Sequence, residues 1–219
     1  MIRGLPVLTL LATAATISGV IAMGNPLQPG WPADLRLLFH CRPYGPVSGK
    51  PVVVRLKANL AGTILDAEYK RDRLGNTRLE LRDPSRDAAS FALLELAAEN
   101  ADRWIFYDQR TILVRRWPSP PPHGQPWLFG PFAPRWTDRH ARVANYDARQ
   151  VILLAPGDAA PAGECWISEE LMLMLRERVA GPDGALQEWE ATSMELRDPG
   201  KDLAAVPEGF VVIDPQGRP

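Results

Sequence analysis

Apolar and polar side chains alternate along much of this chain with the period of two that a strand with one buried face requires. Leu35, Leu37, Phe39 and Cys41 alternate with Arg36, His40 and Arg42, which turns Cys41 inward. A β-branched apolar run follows at 51–60 and a mixed strand at 63–71. At 77–82, Leu79 and Leu81 alternate with Arg78, Glu80 and Arg82. The stretch 91–98 (FALLELAA) suits a helix by propensity and a buried strand by position, and is read as a strand. Residues 103–107 and 111–116 are aromatic or β-branched, and Asp108-Gln109-Arg110 between them makes them a hairpin. Further strands are expected at 143–155, 165–169, 171–179, 186–196 and 210–213, with a short helix at 201–206. In 186–196, Trp189, Ala191 and Ser193 are expected to share one face, and Glu188, Glu190 and Thr192 the other. The strongest turn signal is Gly181-Pro182-Asp183-Gly184.

Residues 117–137 break the pattern. They hold seven of the 22 prolines together with Trp117, Trp127, Phe129, Phe132 and Trp136, and no regular element is expected at that proline density. A solvated linker rarely carries five large aromatics, so an ordered loop laid over apolar surface is expected. Trp127, Phe129, Phe132 and Trp136 are its candidate ligand- or partner-binding residues. A lid at a cavity mouth and a structural crossover with packed aromatics are the two readings.

The N-terminus changes the setting. Arg3 precedes an uncharged apolar run at 5–22, and Val20-Ile21-Ala22 offers small residues for cleavage between Ala22 and Met23. This is the pattern of a secretory signal peptide over residues 1–22, which places the mature chain in the periplasm or outside the cell. A retained anchor is the competing reading, since 18 residues is the lower length for crossing a bilayer. Thr9, Thr13, Thr16, Ser18 and Gly19 dilute the run and favour cleavage, with no stable membrane insertion afterwards. Residues 23–33 read as a disordered lead-in, and 34–219 as a single β-rich domain.

Export gives the two cysteines meaning. Cys41 and Cys165 form an even pair in an oxidising compartment, where a disulfide is expected. On the chain-entropy account it contributes about 4 to 5 kcal/mol. Two buried free thiols are the alternative. The 25 basic and 26 acidic residues nearly cancel, so no net field draws nucleic acid to the chain.

Catalytic signatures are lacking. Gly45 to Lys50 resembles a phosphate-binding loop but is one residue short between its glycines, and Pro51 stands at the Ser/Thr position. No nucleophile elbow, zinc-protease helix, dithiol or dinucleotide fingerprint occurs. His40, His123 and His140 match no metal-ligand spacing, and Glu169-Glu170, Glu188 and Glu190 read as solvated charges. No cofactor is expected, and the chain is read as non-enzymatic. One hexapeptide recurs, as Leu79 to Pro84 and Met194 to Pro199 (LELRDP, MELRDP), without further copies.

The C-terminal third resembles a known family. Trp166-Ile-Ser-Glu-Glu-Leu171, then Leu175-Arg176, the turn at 181–184, the strand through 188–194 and the closing Leu203-Ala-Ala-Val-Pro-Glu-Gly-Phe210 follow one another in order. That order resembles the outer-membrane lipoprotein-sorting (LolA/LolB-like) superfamily and its uncharacterised periplasmic relatives. Leu203 stands where the family has Phe, and the 103–116 hairpin fits the family's central one. The resemblance covers roughly 77–213 with gaps, and 117–137 has no counterpart in it. It implies a mainly β (α+β) fold, a strongly curved antiparallel sheet forming an unclosed barrel, with a few short helices over its concave face. It further implies a hydrophobic cavity for a lipid, a lipoprotein or another hydrophobic small molecule. An envelope protein docked through the Pro/Trp-rich loop is the alternative partner.

Overall fold

The computed structural model describes residues 50–60, 62–85, 88–96, 99, 101–116, 132–155, 160–180 and 186–214. The expected leader, the lead-in, the strand carrying Cys41, the turn at 181–184, Trp127 and Phe129 lie outside them.

Twelve strands form among the described residues, and the alternation explains them. They are β1 (Val52–Leu60), β2 (Thr63–Arg71), β3 (Thr77–Asp83), β4 (Ala88–Leu96), β5 (Ala101–Phe106) and β6 (Thr111–Arg116), then β7 (Ala133–Val143), β8 (Tyr146–Leu154), β9 (Pro161–Ser168), β10 (Leu173–Ala180), β11 (Leu186–Glu195) and β12 (Val211–Ile213). Along β2 every second residue from Leu65 to Arg71 is buried. All twelve join one sheet in the order β12-β6-β5-β4-β3-β2-β1-β11-β10-β9-β8-β7. Among the described residues the sheet does not close, and β12 and β7 are its edges. Every junction is antiparallel except β12 on β6, which is parallel.

Register gathers the apolar positions on one face. One row runs from Met194 through Val54, Tyr69, Leu79, Leu93 and Trp104 to Leu113, crossing seven adjacent strands. A second row runs from Ala191 through Leu56, Ala67, Leu81 and Phe91 to Phe106. The sheet curls around this face. Arg71 Nη2 on β2 donates to the carbonyl of Leu171, just before β10, at 3.0 Å. Three strand spacings separate β2 from β10, about 14 Å on a flat sheet. Curling brings Leu171, Leu173 and Leu175, with Val143 and Ala148, into the same core cluster as Trp104 and Leu113.

Three local features depart from the simple alternation. Thr192 is an extra residue opposite β1, because Arg55 pairs with Ser193 while Leu56 pairs with Ala191. This bulge sends Ser193 to the outer face, so it does not share the face of Trp189 and Ala191 as expected. The helical element is a 3₁₀ turn at Gly200–Ala204, and it lies on the outer face, where Leu203 packs with Leu94 and Leu96. The expected loop at 117–137 gives way to β7 from Ala133 onward. Pro134 is tolerated there because an edge strand needs ladder bonds on one side only. Gly163 is required where β9 meets β10, since a Cβ there would stand 2.3 Å from the Arg178 carbonyl oxygen.

Candidate ligand-binding face

The inner face is apolar over most of its breadth and polar at one end. The polar end is itself a register row, in which Arg71 pairs with Thr77, Thr77 with Glu95, and Glu95 with Asp102. Arg71 and Asp102 are wholly buried and Thr77 nearly so. Thr77 Oγ1 donates to Glu95 Oε2 at 2.8 Å, and Trp104 Nε1 donates to Asp102 Oδ2 at 3.4 Å. Buried charges persist only when paired and hydrogen-bonded, and this row supplies both signs. Between the polar end and the apolar tract stands Tyr69, 2% exposed, its hydroxyl without a hydrogen-bond partner among the described residues. Burial pushes its phenol well above the ordinary range against the opposing pull of Arg71, and Glu95 raises it further, so the group stays a neutral donor.

This arrangement suits an amphiphile, with chain-like groups against the apolar rows and polar atoms near Arg71 and Tyr69. Among the described residues no group of three or more His, Cys, Asp or Glu side chains could hold a metal ion. Cys165 is fully buried, and burial, with Glu177 and Glu164 nearby, raises its thiol far above the range of a reactive nucleophile. Its expected partner Cys41 lies outside the described residues. His140 bonds Asp147 at 2.9 Å on the exposed β7–β8 hairpin. Glu188 and Glu190 lie on the outer face against Arg178 and Arg176.

Of the four aromatics singled out from the sequence, two can be placed. Phe132 packs on a cluster of Val151, Leu153, Cys165, Ile167, Met174 and Val179, separate from the main core. Trp136 sits on edge strand β7, 42% exposed, with the Arg149 guanidinium carbon 5.4 Å from its ring centre. The sequence reading passed over Tyr69, Arg71 and Gln187. The signal for them was positional, a polar residue at an inward parity position of a strand.

No protein-family profile matches the chain, and no curated protein does. Solved structures do. An uncharacterized conserved protein from Thermus thermophilus is 14% identical, with 77% of this chain and 91% of that one covered at a TM-score of 0.55. MucB in complex with MucA(peri) is 16% identical, with 76% of this chain covered at a TM-score of 0.50; this chain spans 58% of that one. An unclosed antiparallel sheet is also what the resemblance to the lipoprotein-sorting superfamily implies. The likeness to the first two shows the fold alone, an unclosed and mostly antiparallel sheet. The LolA superfamily protein NE2245 from Nitrosomonas europaea is among the similar structures, at 12% identity, 73% and 91% coverage and a TM-score of 0.35, too low for that superposition to carry weight.

Proposed function

We propose that this chain is an exported, non-enzymatic binding protein of the periplasm or cell exterior that holds a lipid, a lipoprotein or another hydrophobic ligand against its inner face. The observation that supports this most is the continuous apolar tract crossing seven strands and ending at a buried polar row. Each methylene that passes from water into an apolar site contributes about 0.8 kcal/mol, so a bound acyl chain is retained in proportion to its length.

The decisive measurement is native mass spectrometry with lipid extraction on protein purified from the periplasm of an expression host. A co-purifying acyl species near one per chain is the expected outcome. A bare protein mass that persists after lipid is added sinks the proposal.

A second reading, docking of an envelope protein through the Pro/Trp-rich segment, draws support from the 42% exposure of Trp136 on β7. Under it, Trp136→Ala removes partner capture in a pull-down from envelope extract while thermal unfolding stays unchanged. Capture that survives the substitution counts against it.

A further inference from the structure

β11 places Gln187 and Trp189 two residues apart, so both side chains stand on the inner face about 7 Å apart along the strand. Each is 4% exposed. Among the described residues, the Gln187 Oε1 and the Trp189 Nε1 both lack a hydrogen-bond partner. Their needs are opposite, since an indole N–H only donates and an amide oxygen only accepts. Ala58 on β1 and Glu177 on β10 face Trp189 from either side, and Val179 faces Gln187. Buried polar atoms in folded proteins almost always have partners, and these two neighbours call for an acceptor and a donor side by side.

We propose that Trp189 and Gln187 form a polar subsite that recognises an amide group carried on an apolar chain. The amide carbonyl accepts from Trp189 Nε1, and its N–H donates to Gln187 Oε1. An amide presents its oxygen and its hydrogen on opposite sides of one planar group, which suits two side chains standing apart on one strand. A hydroxyl or a water would need both side chains to converge on a single oxygen. An ester satisfies Trp189 and leaves Gln187 unmet, so the subsite discriminates between otherwise identical chains. This inference rests on the inner face being the ligand's seat.

The test compares N-methyldodecanamide with methyl dodecanoate, which differ only in N–H against O, by titration of the full-length protein and of Trp189→Phe and Gln187→Met. The wild-type protein is expected to favour the amide about tenfold, the equivalent of one buried hydrogen bond. Gln187→Met is expected to bring the two affinities together with ester binding unchanged. Trp189→Phe weakens both ligands alike, provided thermal unfolding shows it folded; Gln187→Met carries the test without it. Equal wild-type affinities, a preference that survives Gln187→Met, or a ligand-bound crystal structure with water between the two side chains overturns the subsite while leaving the inner-face reading intact. Failure of both amphiphiles to bind overturns the inner-face reading and the subsite with it.

Discussion

Two nearly identical hexapeptides, LELRDP in β3 and MELRDP at the end of β11, fold alike and count differently. In each, an arginine bonds the glutamate two residues before it, Arg82 to Glu80 and Arg197 to Glu195, both at 2.6 Å. In each, the aspartate caps the turn that follows, Asp83 accepting from the Ser85 backbone N–H and Asp198 from that of Gly200. Their surroundings differ. The 195/197 pair is half exposed on both sides, whereas the Glu80 side chain is 9% exposed. Residues 200–210 lie over Glu80, and Arg78 beneath them donates to the Ala205 carbonyl at 2.7 Å, to the Tyr107 hydroxyl at 2.7 Å and to Glu80 at 3.1 Å. Tyr107 in turn donates to Glu80 at 3.2 Å. Local sequence therefore sets the bonds, and tertiary cover sets what they are worth.

The largest effect follows from removing the buried carboxylate. Glu80→Ala leaves the Arg78 guanidinium buried without its counter-charge and is expected to cost about 3 to 5 kcal/mol in a denaturant titration. A cost below about 1 kcal/mol would mean that the strap over it moves aside freely. Next comes acid. Burial alone would raise the Glu80 carboxyl, yet Arg78 beside it and hydrogen bonds from Arg82 and Arg78 hold it below its ordinary value of 4.5. A carboxyl depressed in the fold contributes stability that is fully present above 4.5 and lost as pH falls through the folded value. The melting temperature of the wild-type protein should drop through that window more steeply than that of Glu80→Gln; parallel curves would refute the linkage. Tyr107→Phe, which deletes one hydroxyl from the network, is expected to cost about 1.5 kcal/mol. Glu195→Ala should change stability by less than about 0.5 kcal/mol, and added salt should erase even that.

The same contrast explains what was legible beforehand. The alternation encodes one buried face per strand, which was enough to find the β5–β6 hairpin, while 91–98 was read as a strand by its position and the unclosed sheet was expected from the family resemblance. It could not show that the outer face of β3 is also covered, so Arg78 and Glu80 stood only as the polar positions alternating with Leu79 and Leu81. Nor could it show the extra Thr192 that reverses Ser193, since a bulge depends on the partner strand. Trp189 and Ala191 share a face as expected because no bulge separates them on β11. Gln187 and Tyr69 escaped notice because a polar atom at an inward position gains significance only once its neighbours are known.

The strand order also governs how the chain must assemble. β1 pairs on one side with β2, its neighbour in sequence, and on the other with β11; Thr192 donates to the Arg55 carbonyl across 137 residues of chain. β1 to β6 can zip together as local hairpins, yet the far edge of β1 stays open until β11 has been made and delivered. Such long-range closure is slow, and an unpaired β-branched edge invites pairing with other chains meanwhile. Arrival of residues 186–195 is thus the step that separates productive folding from aggregation.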